Sequence, residues 1–377
     1  MPPPAKNVCL PMANDTVAPE KSLRIRFPLE GFNVSGGIRV ITQIANGLAA
    51  RGHAVTLVVP DYQSVTDFAL RPALRLEIVP TRRRGVLRKI EYVLKLTRLA
   101  VQNCDICVAT SSRTPLYILL SLTQNRNRPK LTYLIQHYEV LSHAEQTARP
   151  WLLRKALALL IRFGYRLPFR QVAVSNWIRE KIGRPDCAVI PNGVDTEAFF
   201  PAAPRAAPKF VLGVIESAAP WKGYALFLAA VKNLPDSEKS EITVRIASRE
   251  EVGLPEGIAA ERFRPQSDGA MAEFYRGCDG FVFTSEIEGF GLPPLEAMAC
   301  GVPVLTTDCG GVREYANDQN AVIVPTKDAA ALTDAIRRLI NDAELRENLR
   351  AAGLRTAQSH SLDAMQQAHI RWIEAAQ

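Results

Sequence analysis

Apolar residues along this chain alternate between two periods. Short continuous runs rich in β-branched and aromatic residues, Ala54 to Pro60, Asp105 to Ala109, Phe210 to Ile215, Ile242 to Ala247 and Gly280 to Phe283, read as strands buried on both faces. Between such runs the spacing becomes helical. Ile38, Val40, Ile41, Ile44, Ala45 and Leu48 recur in this way until Arg51-Gly-His53 closes the pattern, and Ala225 to Leu234 and Met271 to Arg276 repeat it. A chain that keeps alternating strand and helix builds parallel sheets, because parallel neighbours need a crossover.

Taken in order, Ser22 to Phe27 is the first strand and runs into the Gly-rich turn Gly31 to Gly37, so the chain opens with a βαβ unit. Gly36 and Gly37 do not form the dinucleotide fingerprint, and a plain turn and a phosphate cradle are equal readings of the pair. Leu131 to Ile135 is a strand ending in Gln136-His-Tyr-Glu139. Polar side chains at that edge of a parallel strand face a cleft, which makes His137 a site candidate beside its structural reading. Gln171 to Val174, a helix over Asn176 to Ile182 with Ser175 as N-cap, and Ala188 to Ile190 continue the alternation.

The Pro/Ala segment Pro201 to Pro208 reads as a linker, after which a second strand–helix series begins. Helices are expected over Ala329 to Leu339, Ala343 to Ala352 and Asp363 to Ala375, and Trp372 and Ile373 give the last one an apolar side for docking on the first domain. The expected division is a first domain over 1–200, a second over 201–355, and a C-terminal helix over 356–377.

Composition agrees with two domains, since 377 residues exceed the roughly 150 that one core usually serves, and 47% hydrophobic residues suffice for both. Seven cysteines, without periodic spacing, point to free thiols in a reducing compartment. Cys104 and Cys107 fall in a strand candidate, where buried core cysteines are favoured over a metal or redox pair. No basic-then-apolar leader is visible, and no apolar run approaches the ~18 residues of a membrane span, so a cytoplasmic protein, soluble or peripheral, is expected.

The formal charge of +8 is unevenly spread. Residues 1–200 carry 28 Lys and Arg against 14 Asp and Glu, and residues 201–377 carry 18 against 24. A basic half suggests an anionic partner, and no nucleic-acid module is present to claim it. Arg82 to Ala100 and Arg149 to Arg170 are both basic and apolar. In the second stretch Arg154, Lys155, Arg162 and Arg166 share about a third of the helical circumference, with Trp151, Leu152, Leu159, Leu160, Ile161 and Phe163 over much of the rest. Such a helix either covers its own sheet or docks on an anionic membrane.

The densest chemistry lies in Thr284 to Val304. There the buried strand Gly280 to Phe283 gives way to Glu288-Gly-Phe-Gly-Leu-Pro-Pro-Leu-Glu296, with Pro293 and Pro294 opening a helix that Gly301 stops before the run Val302 to Thr306. Strand, Gly loop and helix start together favour an anion such as a pyrophosphate, and carboxylates on either side suit sugar hydroxyls.

Gly36-Gly37, Val174-Ser-Asn176, Ile190 to Asp195, Trp221-Lys-Gly223, the Glu288 to Glu296 stretch, Cys300-Gly-Val-Pro-Val304 and Gly310-Gly-Val-Arg-Glu314 together resemble the retaining glycosyltransferases of glycosyltransferase family 4. The resemblance covers nearly the whole chain, in order. It implies the GT-B fold, α/β, with two Rossmann-like parallel-sheet domains facing a central cleft, the nucleotide-sugar donor held mainly by the second domain, the acceptor mainly by the first, and a last helix that crosses back. It also implies roles. Glu296 would hold the ribose hydroxyls and Glu288 the donor sugar. Phe290, Gly291 and Leu292 line the donor loop, with amides of Gly291 and Leu292 on the diphosphate, and Gly36 and Gly37 would approach it from the first domain. Lys222 would neutralise the leaving nucleoside diphosphate, with no metal and no cofactor beyond the donor, and His137 would lie near the donor sugar. One departure stands out: the Gly-Arg that family members carry before the lysine is replaced by Gly213 to Ala219, leaving Arg39, Arg249 or another cation to substitute. Gln136 to Glu139 is also similar to a motif of deoxysugar transferases, which hints at rhamnose-like chemistry. The expected function is sugar transfer from a nucleotide sugar to a cell-envelope, polysaccharide or lipid-linked acceptor, with anomeric retention by front-face departure. The competing reading, drawn from the missing arginine, is an inactive scaffold that binds a nucleotide or a partner protein.

Overall fold

The computed structural model describes residues 21–33, 35–62, 70–144, 150–203, 209–217, 219–249 and 253–376. The opening Met-Pro-Pro-Pro, Arg149 and residues 204–208 of the expected linker lie outside them. The chain forms two compact units. One comprises the chain through Ala173, Ile178–Ile190 and the C-terminal stretch from Gln366; the other comprises Val174–Trp177 and Pro191–Met365. The division therefore falls at Ile190–Pro191, ahead of the expected 200/201. Pro191 onward belongs to the second unit because Val194 forms a parallel bridge with Ser361, and Gly193 lies so close to that backbone that a Cβ would stand 2.3 Å from the Ser361 carbonyl oxygen.

The first unit runs β1 (Arg24–Pro28), α1 (Gly36–Ala50), β2 (Ala54–Pro60), β3 (Arg75–Val79), α2 (Gly85–Leu99), β4 (Ile106–Ala109), α3 (Thr114–Gln124), β5 (Lys130–Ile135), α4 (Glu139–Ala144), α5 (Trp151–Arg166), β6 (Arg170–Ala173), α6 (Asn176–Ile182) and β7 (Ala188–Val189). Its seven strands lie in the order β3-β2-β1-β4-β5-β6-β7, all parallel. The central strands are the apolar runs, with Phe27, Leu57 and Cys107 fully buried. β3 and α3 were not foreseen. β3 is an edge strand whose Arg75-Leu-Glu-Ile-Val79 is half exposed, so it carries no continuous apolar run. Cys104 and Cys107 are both buried, the Cys107 thiol donating to the Ala100 carbonyl at 3.2 Å.

The second unit continues β8 (Phe210–Ile215), α7 (Tyr224–Lys232), α8 (Asp236–Ser240), β9 (Ile242–Ala247), β10 (Ala259–Phe263), α9 (Asp268–Arg276), β11 (Gly280–Phe283), α10 (Leu292–Ala299), β12 (Val304–Thr307), β13 (Val322–Val324), α11 (Ala329–Asn341), α12 (Ala343–Ser359) and α13 (Leu362–Glu374). Its six strands are ordered β10-β9-β8-β11-β12-β13, again parallel. Leu212, Val244, Ile246, Val282 and Leu305 from the sheet pack with Phe227 of α7 and Leu332 and Ile336 of α11. Both sheets are thus Rossmann-like.

From Gln366 onward α13 belongs to the first unit. There Gln366 donates to the Gln43 carbonyl at 2.7 Å, Arg51 and Glu374 pair at 3.1 Å, and the Arg170 guanidinium lies 4.4 Å from the Trp372 ring centre. α5 turns only Ile161, Gly164 and Tyr165 inward and leaves Trp151, Leu152, Leu153, Leu159, Leu160 and Phe163 exposed, Leu152 by 70%. Its apolar side is therefore not the one that covers the sheet. No described helix is long and apolar enough to cross a membrane.

Candidate functional site

In the second unit, β11 delivers the chain to the loop between Thr284 and Gly291. Glu288 donates its N–H to the Cys309 carbonyl at 2.8 Å and accepts from the Gly311 N–H at 3.0 Å, a one-residue parallel bridge. Glu286 donates to the Trp221 carbonyl at 2.7 Å, the Ser175 hydroxyl to the Gly289 carbonyl at 2.7 Å, and the Tyr315 hydroxyl to the Gly291 carbonyl. Gly311 has to be glycine, because its Cβ would stand 2.2 Å from Gly289. Gly310, with φ at +89°, carries the Trp177 indole where a side chain would be.

Gly291, with φ at +83°, is the N-cap of α10. Pro293 and Pro294 carry no N–H, so the amides of Gly291 and Leu292 are what the helix start offers an anion. Phe290 is buried with its ring 5.1 Å from that of Tyr315, so its main chain, not its ring, is what faces the loop's contents. Glu296 is buried one turn into α10 and accepts from the Tyr275 hydroxyl at 2.9 Å.

Lys222 ends a short 3-10 turn over Pro220–Lys222. It is followed by Gly223 at φ +73°, whose missing Cβ lets the Thr284 carbonyl approach. That turn brings the Lys222 ammonium to 2.6 Å from the Glu288 carboxylate. The pair is partly exposed, 35% and 13%, and so is open to exchange partners with an incoming anion. Of the two cations considered as substitutes for the missing arginine, Arg39 lies on α1 of the first unit. Arg249 follows β9, next to β8, at the same sheet edge as the Lys222 turn. Around the start of α6, for which Ser175 was the expected cap, the N–H of Asn176 goes to the Glu314 carboxylate at 2.7 Å, and the Ser175 hydroxyl also donates to the Glu288 loop at the Gly289 carbonyl.

In the first unit a pocket of about 540 Å³ opens at the C-terminal edge of the sheet, and both Gly37 and His137 line it. Gly36 does not, and no atom lies within 4 Å of where its Cβ would be. Gly37 has room for a side chain, the nearest atom being the Gln136 amide oxygen at 3.6 Å. The His137 carbonyl accepts from Tyr165 at 3.4 Å. Of the two carboxylates here, Glu139 belongs to the strand end read as facing a cleft, whereas Glu30 was missed. Glu139 is held by the Ser112 amide at 2.8 Å and by the Ser112 hydroxyl, and burial raises its carboxyl above the usual range. Glu30 is bound by Ser111, Arg113 and Tyr117. The one signal available was the position of Glu30 just past the end of the first strand.

The family Glycosyltransferase Family 4 matches residues 34–198, and Glycosyl transferases group 1 matches residues 195–356. The phosphatidyl-myo-inositol mannosyltransferase of Mycobacterium tuberculosis (strain H37Rv) is 27% identical over 357 residues, 85% of this chain and 88% of that one. The D-inositol 3-phosphate glycosyltransferase of Geodermatophilus obscurus is 33% identical over 189 residues, so the match spans 42% of this chain and less than half, 41%, of that relative. Among solved structures, sucrose-phosphate synthase from Thermosynechococcus elongatus aligns with a TM-score of 0.78 at 18% identity over 94% of this chain and all of the other, which shows the GT-B fold.

Proposed function

The chain belongs to the family 4, group 1 glycosyltransferases, and from that premise we propose that it moves a sugar from a nucleotide diphosphate to a cell-envelope or lipid-linked acceptor with retention of anomeric configuration. The observation that carries this reading is the Lys222–Glu288 pair beside the donor loop. Departure of a nucleoside diphosphate builds negative charge, and a fixed ammonium aimed at it stabilises the transition state more than the ground state. Released from Lys222 by the incoming diphosphate, Glu288 accepts hydroxyls of the transferred sugar. Glu296 takes the ribose diol, and the amides of Gly291 and Leu292 take the diphosphate. Arg249 is the substitute for the missing second cation in this scheme. The leaving phosphate helps deprotonate the acceptor hydroxyl on the same face. A rhamnose-like donor is the narrower option suggested by Gln136 to Glu139.

Thermal shift against UDP, GDP, dTDP and their sugars tests the donor half, since a ligand of the native state raises its stability with affinity. Donor-dependent release of nucleoside diphosphate tests the transfer. A shift lost in Glu296→Gln and a release lost in Lys222→Ala are expected; no shift with any nucleotide would overturn the reading in favour of a scaffold that binds a partner protein.

Peripheral attachment to an anionic membrane is a second proposal, supported by α2 and α5. Val86, Leu87, Ile90 and Leu94 of α2 are at least half exposed and share their helix with Lys89 and Arg98, and α5 pairs its exposed apolar residues with Lys155 and Arg162. Co-sedimentation with phosphatidylglycerol vesicles that persists in Leu152→Ser/Leu159→Ser/Phe163→Ser would count against it.

A further inference from the structure

The first unit's pocket contains a carboxylate to which the donor chemistry gives no role. Glu30 stands at the end of β1, and three donors from the β4–α3 turn and α3 converge on it: the Ser111 hydroxyl at 2.6 Å on Oε2, and on Oε1 the Arg113 guanidinium at 2.9 Å and the Tyr117 hydroxyl at 3.2 Å. All four residues line the 540 Å³ pocket. The Tyr117 phenol is pushed up to about 12, by burial and then by Glu30, and so remains a neutral donor across the physiological range. A carboxylate offers about four acceptor sites, and with three filled one is left on Oε2. Arg113 gives Glu30 only its Nε; the guanidinium side chain is 56% exposed and has further N–H groups to donate. Lys89, on α2, adds a second cation to the lining.

An acceptor oxygen fixed against one cation, with a second cation lining the same cavity, matches a ring that presents a hydroxyl at one point and an anionic oxygen at another. We infer that Glu30 sets acceptor specificity by binding a hydroxyl of a phosphorylated sugar or polyol whose phosphate lies on Arg113 and Lys89. The inference rests on the glycosyl-transfer reading and names its acceptor class. That class exists in two forms, free or as the head group of a lipid. α2 bears on both, since it lines the pocket through Lys89, Tyr92 and Val93 and carries the exposed Val86, Leu87 and Ile90.

Titration calorimetry on the full chain with glucose 1-phosphate as the probe tests it. The expected result is binding that weakens at least tenfold in Glu30→Gln and in Lys89→Ala, while the nucleotide affinity read in the same samples is unchanged. Inorganic phosphate should lose affinity in Lys89→Ala alone. Decyl glucosyl phosphate separates the two sources: tighter binding than the free ester, reduced by Ile90→Ser, marks a lipid head group, and equal binding marks a soluble acceptor. Wild-type affinity for glucose 1-phosphate in both Glu30→Gln and Lys89→Ala, or no binding to the unaltered chain, overturns the inference. Because Lys89 is exposed, its variant stands even if Glu30→Gln misfolds. Failure of the donor reading would show separately, as absent nucleotide binding with probe binding intact.

Discussion

In the second unit the loop from Thr284 to Gly291 is held mostly by main-chain groups, with the carbonyls of Trp221, Cys309, Gly289 and Gly291 and the amides of Glu286, Glu288 and Gly311 each engaged. In the first unit the pocket around Glu30 is held by side chains drawn from separate strand ends. A main-chain lattice presents amides and a helix start in fixed geometry whatever the ligand's sugar, which suits the constant diphosphate part of a donor. A side-chain lattice can be retuned one residue at a time, which suits an acceptor. The difference also decides how each region should fail.

The largest effect is expected from Lys222→Ala: a loss of about 10²- to 10³-fold in kcat, roughly 3–4 kcal/mol of barrier, with acceptor KM little changed. A large rise in acceptor KM instead would blur the division between the regions. Gly311→Ala should come next, because its Cβ would collide with Gly289 backbone that cannot swing away. Overpacking of this kind costs about 3 kcal/mol, and the midpoint in urea should fall with nucleotide affinity. A midpoint equal to wild type would show that the lattice can shift.

Acid separates the units at the next scale. His369, buried in α13 within the first unit, is lowered by burial to about 4. Its imidazole binds a proton in the unfolded chain before it does in the folded one, so stability is full above pH 6.5 and falls as pH drops toward 4. By pH 5 this amounts to about 2 kcal/mol. His53, also lowered by burial with Glu374 partly offsetting it, adds in the same direction. Hydrogen exchange should therefore loosen β1 and β2 before β8 and β11 between pH 7 and 5, and His369→Gln should flatten the slope. Smallest is Ser175→Ala, which removes one hydrogen bond to Gly289 worth about 1 kcal/mol and should weaken nucleotide binding severalfold without touching the pocket. Chemical denaturation and nucleotide titration read the two halves of that prediction.

The same contrast governs what could be read from the sequence. The Glu288 loop and the helix after it were legible because main-chain geometry is written in glycine and proline: Gly291 and Gly301 adopt positive φ, and Pro293 and Pro294 sit in the first turn of α10. Strands buried on both faces were legible for a similar reason, and Ala54–Pro60, Phe210–Ile215, Ile242–Ala247 and Gly280–Phe283 have the ends their apolar runs imply. Edge strands β3 and β10 were not, since exposed positions break the run, and β13 is an apolar run of only three residues. The Glu30 network was invisible because Ser111, Arg113 and Tyr117 become its neighbours only through the pairing of β1 with β4, 81 residues along the chain. Ser175 was read from local pattern only as a cap, and the hydrogen bond from its hydroxyl to Gly289, 114 residues along the chain, was not legible.

One consequence concerns how this gene could be divided. The chain passes from one unit to the other after Ala173, Trp177, Ile190 and Met365, so no single cut yields both halves whole. A C-terminal fragment begun at Pro191 keeps every residue of the Glu288 loop but loses the Ser175 hydroxyl on Gly289 and the Trp177 indole on Gly310. It also carries away the last part of α13, stripping Gln366, Trp372 and Glu374 from the partners they hold in the first unit. Domain exchange with a relative would have to transplant the tetrapeptide 174–177 along with the second unit, and leave the residues from Gln366 onward with the first.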